Sequence, residues 1–223
     1  FWFSGDTLLV RAGDEVSAFY GRLASGIAIP DDRMAMVFRL HPEARWSDGV
    51  PVTPQDVAFT IEANLSRIAS RLFYGFIDRV EAIDERHVAI HLTSPVTLNN
   101  VIMMQFMTIM PAHYWRDRDP TAHTMDIPVT SGPYRIGAMK PGRYVDWHRD
   151  PDYWGRDIPV NKGRYNFDVV RYDVYRDATV ARESFRKGLI DIWDETDVRY
   201  WSRSYDIPAL EKGWIKKIHR QFG

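Results

Sequence analysis

Apolar and polar residues follow two rhythms along this chain. The helical rhythm is clearest after Thr53, where Val57, Ile61, Leu65 and Ile68 fall on one face. Thr53 suits the N-cap, Pro54 the first helical position, and Asp56 the acidic arm of a capping box. The spacing predicts one amphipathic helix over this stretch. The strand rhythm appears at Ile77 to Ile83 and again at Val88, Ile90 and Leu92, with Asp84-Glu85-Arg86 as the connecting turn. A second hairpin is predicted where Pro30-Asp31-Asp32 separates Ile27-Ala28-Ile29 from the run Met34 to Leu40. That run leads to a tight polar turn at Ser47-Asp48-Gly49 and a short bridge, Val50-Pro51-Val52, just before the capped helix.

The remaining pattern is less regular. Thr7 to Val10 reads as a short strand, and Phe19 to Ser25 as a short helix ended by Gly26. Ser70 to Gly75 reads as a turn crowded with Leu72, Phe73 and Tyr74. Thr97 to Met104 is expected to be helical after Ser94-Pro95, with Met103, Met104, Met107 and Met110 as adaptable core filler or a methionine-lined ligand surface. Pro111 to Thr130 reads as loop, broken by Pro120 and Pro128. Strands are predicted at Tyr134 to Met139 and Tyr144 to Arg149 around a Lys140-Pro141-Gly142 turn, and at Val169 to Tyr175. Ala178 to Lys187 fits a helix with Val180, Ala181 and Phe185 inward and Gly188 as its stop, followed by a short strand Leu189 to Trp193 with Trp193 in the core.

Composition narrows the function classes. The chain has 223 residues with 45% hydrophobic, enough for one large domain or two small ones. Lys+Arg 29 against Asp+Glu 30 gives a net charge of -1, which argues against nucleic-acid binding by bulk attraction. Cys 0 removes disulfides, thiolate metal sites and cysteine nucleophiles. No run approaches the ~18 apolar residues of a membrane span; the longest candidate, Val101 to Met110, is interrupted by Gln105 and Thr108. The chain opens at Phe1-Trp2-Phe3 without an initiator Met, and both ends read as cuts through a longer protein.

No sequence signature of a zinc protease, nucleophile elbow or phosphate-binding loop is present, and no catalytic residue is assigned. His87 and His91 share a strand face but are too few for a closed metal site, so no metal and no cofactor is expected. Arg199 and Arg203 read as a solvated helix face or as partners for a carboxylate. Aromatic residues, 13% of the chain, offer the better candidates for ligand contact: Trp46 beside the polar turn, Phe73 and Tyr74 after the central helix, and Tyr134 after Gly132-Pro133. Each has a packing alternative: Trp46 as a plug under the turn, Phe73 and Tyr74 as core, Tyr134 as sheet support.

Separated motifs in the expected order carry a resemblance. The run from Arg39 through Ala44-Arg45-Trp46-Ser47-Asp48-Gly49 to Glu62 closely resembles the signature of the family-5 extracellular solute-binding proteins of peptide-type ABC transporters, which include oligopeptide, dipeptide and nickel binders. Ser131-Gly132-Pro133-Tyr134 and Asp150 to Gly155 are similar to two later family segments, although Asp150 stands where Asn is usual. Ala181, Phe185, Gly188, Ile190 and Asp191 match a further one. The run Val10 to Gly26 resembles the branch of YejA-type peptide binders.

The resemblance implies a mixed α/β (α+β) fold of the type-II periplasmic binding protein kind, as a partial chain lacking the second lobe. Residues 1–25 would be a remnant of the main lobe, 26–130 a small subdomain, and 131–223 a main-lobe segment. It implies a periplasmic protein, its signal peptide lost with the missing N-terminal part, capturing peptides or peptide-like solutes for ABC permease subunits in the inner membrane, as a monomer and without bond chemistry. Phe73 and Tyr74 lie where such peptide binders bring an aromatic toward the ligand. A sensor domain on the same fold, or a carbohydrate-active enzyme with aromatic subsites, are the other readings.

Overall fold

The computed structural model describes residues 4–12, 15, 17–119 and 125–218. In chain order it has strands β1 (Leu9–Arg11), β2 (Phe19–Gly21), β3 (Ala24–Ala28) and β4 (Ala35–Leu40), then helices α1 (Pro54–Leu65) and α2 (Ile68–Tyr74). Strands β5 (Ile77–Ala82) and β6 (His87–Leu92), helices α3 (Leu98–Met104) and α4 (Ala112–Trp115), and strands β7 (Tyr134–Lys140), β8 (Tyr144–Arg149) and β9 (Val169–Asp173) follow. Helices α5 (Ala178–Arg186), α6 (Val198–Arg203) and α7 (Pro208–Glu211) complete the order. No helix among the described residues is long and apolar enough to cross a membrane.

The main sheet has the order β3-β4-β6-β5 and is antiparallel throughout. Met36 pairs with Ile90 and Phe38 with Val88, so side chains at every second position share a face. Met36, Phe38, Leu40, Val88, Ile90 and Leu92 are all buried there, in one cluster with Val57 and Ile61 of α1. The opposite face carries Arg39, His87 and His91. The two histidines meet carboxylates, His87 with Asp84 at 2.8 Å and His91 with Glu81 at 3.1 Å. Met104 and Met107 belong to the same core, as the core-filler reading expects.

By contacts the chain forms two compact units, Phe1–Ala138 with Asp146–Val170, and Met139–Val145 with Arg171–Gly223. A third sheet has the order β7-β8-β9. In the second unit, the Glu195 side chain is only 3% exposed and accepts from Arg182 at 2.7 Å, Tyr205 at 2.8 Å and Trp193 at 3.3 Å. Burial opposes its charge, but these donors and the Asp197 amide hold its carboxyl at about 2.

Several expected elements come out differently. Phe19 to Ser25 is not helical: β2 pairs with β1 (Val10 opposite Tyr20), and the Arg22 and Ala24 amides both donate to the Leu8 carbonyl. A seven-residue helix would be marginal by itself, and strand pairing satisfies the same backbone groups. Ile68 does not extend the apolar face of α1, which ends at Ser66; it opens α2, in place of the expected turn. Val180 faces solvent, while Ala181 and Arg182 form the buried side of α5. Leu189 to Trp193 is not a strand, since no described strand pairs with it; Leu189 and Ile192 are exposed, and Trp193 is only partly buried. The loop expected from Pro111 contains α4, and the Pro120 breaker lies outside the described residues.

The strand–turn–helix stretch matches its expectation closely. Gly49 takes φ +87, and its amide closes the turn on the Trp46 carbonyl at 2.9 Å. The Asp56 carboxylate is buried and accepts from the Thr53 amide (2.8 Å), Thr53 Oγ1 (3.1 Å), Trp46 Nε1 (3.2 Å) and the Ala112 amide (2.7 Å). One turn on, Thr60 Oγ1 donates to the Asp56 carbonyl and accepts from the Met110 amide. Replacing Asp56 by Ala strands several buried donors at once, and each lost acceptor costs about 1–3 kcal/mol. Asp56→Ala is expected to lower unfolding free energy by roughly 3 kcal/mol or more, read as a shifted urea midpoint at unchanged slope.

Candidate functional site

The four aromatic candidates occupy three environments, all within the first unit. Trp46 is buried under the polar turn, its indole fixed by Asp56 and its ring 6.5 Å from that of His113. His113 Nε2 lies 2.8 Å from an Asp48 carboxylate oxygen. Partial burial raises the Asp48 pKa, but the His113 contact and the Val50 amide outweigh it and hold the carboxyl below its usual range.

Trp46 also lines a cleft of ≈ 390 Å³ together with Ser47, Gly132 and Trp154. Here two of the sequence motifs meet: the Ser47 amide donates to the Thr130 carbonyl at 2.7 Å, and the Thr130 amide donates to Ser47 Oγ at 3.1 Å.

Tyr134 opens β7 and is buried, its hydroxyl donating to the Phe167 carbonyl at 2.8 Å. Burial raises its pKa first of all causes. Its ring meets that of Tyr165 edge-on at 6.2 Å. Phe73 and Tyr74 stand together at the end of α2. Tyr74 packs against the core, and its partial burial raises its pKa. Phe73 is 60% exposed, and Ile68 and Leu72 on the same short helix are 86% and 85% exposed. Helical spacing brings Leu72 over Ile68, and Phe73 is exposed on an adjoining side of the same helix. Phe73 and Tyr74 are brought together on α2; Trp46 and Tyr134 sit in separate buried groups.

Arg199 and Arg203 are exposed on α6, where Arg199 pairs with Asp197 at 2.6 Å. No group of three His, Cys, Asp or Glu among the described residues has the proximity to hold a metal ion.

One cluster escaped the sequence reading. Asp6 is fully buried and accepts from Tyr153 Oη at 3.0 Å and Trp154 Nε1 at 3.2 Å, with Arg22 Nη1 at 3.5 Å. Its amide donates to Ser131 Oγ and its carbonyl accepts from the Ile109 amide. The hydrophobic flank Leu8-Leu9 was the one local hint that this carboxylate turns inward; its partners lie up to 147 residues away.

Burial pushes Asp6 up to about 7, against the pull of Arg22, Tyr153 and Trp154. A carboxyl with a raised folded-state pKa stabilises the fold fully below its unfolded value and loses that contribution as pH rises through about 7. Asp6→Asn cannot titrate. The melting temperature of the unaltered protein should therefore fall relative to Asp6→Asn as pH rises from the ordinary carboxylate range through neutrality, measured by calorimetry across that range.

Comparison with known proteins agrees with this architecture. Residues 18–221 match the family described as "Bacterial extracellular solute-binding proteins, family 5 Middle". The chain is similar to the uncharacterized protein y4wM of Sinorhizobium fredii, 36% identical over 96% of this chain and 34% of the relative. It is also similar to the "Probable peptide-binding protein YejA" of Agrobacterium fabrum, 34% identical over 98% of this chain and 38% of the relative. The chain thus spans little more than a third of the length of these relatives. In fold it is similar to the oligopeptide-binding protein AppA of Bacillus subtilis in complex with a nonapeptide, with TM-score 0.70 and 24% identity over 85% of this chain and 37% of that one. The mixed α/β structure is therefore part of a periplasmic binding protein fold. The chain belongs to the bacterial extracellular solute-binding proteins of family 5.

Proposed function

We propose that this chain is part of the substrate-binding component of an ABC transporter, which captures peptides or peptide-like solutes in the periplasm for import through an inner-membrane permease. The observation that carries this reading is the likeness, along nearly the whole chain, to a relative named as peptide-binding. The protein acts by binding. Ligand contacts on two lobes favour a closed state over an open one, and the permease reads the closed state. ATP hydrolysis belongs to separate subunits, no cofactor is needed, and the binding protein works as a monomer. Residues 26–130 form a small subdomain, flanked by main-lobe segments at 1–25 and 131–223.

The exposed end of α2 supports a ligand-facing role for Phe73, with Tyr74 behind it. Exposed apolar and aromatic side chains on one short helix suit ligand side chains of many sizes, and peptide backbone groups would be held by strand-like pairing elsewhere. Trp46 and Tyr134, both buried, act through structure by fixing the turn and the start of β7.

The test is a thermal-shift screen of the full-length mature protein against di- to decapeptides, with nickel and simple sugars alongside. A peptide at 100 times its dissociation constant adds about 2.7 kcal/mol to apparent stability. Phe73→Ala is expected to weaken peptide binding about tenfold, since an exposed side chain that anchors a ligand contributes on the order of 1.4 kcal/mol, while leaving the ligand-free melting temperature unchanged. Residues 1–223 alone should give no peptide shift, since the contacts of the second lobe are absent. A shift from nickel or sugar only would overturn the ligand class.

A further inference from the structure

A second cleft, ≈ 770 Å³, lies within the first unit, and capture by α2 makes no use of it. Most of the residues that line it are polar or charged. Most of the charge cancels locally: Arg149 pairs with Asp168, Arg156 lies 3.9 Å from Asp157, and Asp150 is taken by Arg135 at 2.8 Å. Lys162 and Arg164 also line the cleft and form no ion pair among the described residues. The uncompensated charge of this cleft is therefore positive.

Two further observations point inward. Tyr165, in the same lining, takes φ +58, a backbone region uncommon for a bulky side chain. That conformation sets its ring against Tyr134 and Tyr153. Its oxygen accepts from Arg22 Nη2 at 3.1 Å, and its own O–H hydrogen meets no acceptor among the described residues.

Asn161, in the same lining, is buried. Its Nδ2 is committed to Tyr153 Oη at 3.1 Å and the Gly155 carbonyl at 2.8 Å, which fixes the amide orientation. Its Oδ1 has no partner. Buried side-chain acceptors are nearly always satisfied, so an oxygen left without a donor beside a polar cleft marks a place for a donor group.

We propose that this cleft is a binding site for a small oxyanion carrying its own O–H donor, with Lys162, Arg164 and the Tyr165 hydroxyl receiving the anionic oxygens and Asn161 Oδ1 receiving the donor. Two chemistries meet that description, a hydrogen phosphate and a hydroxycarboxylate. Both offer acceptor oxygens to cationic donors, the stronger class of hydrogen bond, and both bring a hydroxyl. The proposal stands apart from peptide capture, because none of its residues lies on α2.

Calorimetric titration of the full-length protein at low ionic strength, with inorganic phosphate in one arm and glycolate in the other, tests it. Saturable one-to-one binding of at least one probe is expected, and the arm that binds names the chemistry. Binding should weaken at least tenfold in Lys162→Ala/Arg164→Ala. It should be unchanged in Arg86→Ala, which removes an exposed cation from the β5–β6 turn, and in Phe73→Ala. If the double alanine variant melts lower, Lys162→Gln/Arg164→Gln replaces it. Absence of saturable binding in both arms, or equal weakening by Arg86→Ala, overturns the proposal and leaves the peptide reading untouched.

Discussion

A single buried carboxylate organises the central part of this fold. Asp56 gathers donors from the turn at Trp46, the helix start at Thr53 and the start of α4 at Ala112. Two neighbouring segments and a third, 56 residues away, are thereby held at one point. A capping carboxylate at a helix start is ordinarily a local device worth about 1 kcal/mol. Here the same group also positions an indole and a second helix, so local and long-range order become one constraint. Trp46 can sit under the turn because its N–H has a partner there; an unpartnered indole in that position would oppose its own burial.

Two other buried carboxylates show how donor supply decides charge. Glu195 receives a close guanidinium, a phenol, an indole and an amide, and is held at about 2. Asp6 receives a phenol and an indole, but its guanidinium stands farther off at 3.5 Å, and burial prevails. The first group is a fixed ion pair. The second titrates near neutrality at the place where the N-terminal segment is strapped to Ile109 and Ser131.

Much of this was legible in the sequence because it is local. Thr53-Pro54-Gln55-Asp56 carries its own helix start, Pro30-Asp31-Asp32 and Asp84-Glu85-Arg86 carry their turns, and alternation carries β5 and β6. What failed depended on partners. Phe19 to Ala28 is extended because Leu9 to Arg11 and β4 lie beside it, which no local propensity reveals. Leu189 to Trp193 has strand composition but pairs with no strand among the described residues. For the candidate site, the aromatic residue types were visible, but whether Phe73 faces solvent or core was not, because Ile68 to Tyr74 reads as a turn until its helix is seen. The Asp6 cluster was hidden for the same reason: proximity across most of the chain leaves no periodic trace.

The register of β4 against β6 has a consequence for how this sequence can vary. Val88, Ile90 and Leu92 face the core because they alternate with His87, Ala89 and His91. A one-residue slip of β6 against β4 would turn the histidine set inward and the aliphatic set out. Length changes therefore belong in the Asp84-Glu85-Arg86 turn, where they leave this pairing in place, or in a bulge such as the one β5 already carries between Ile77 and Arg79.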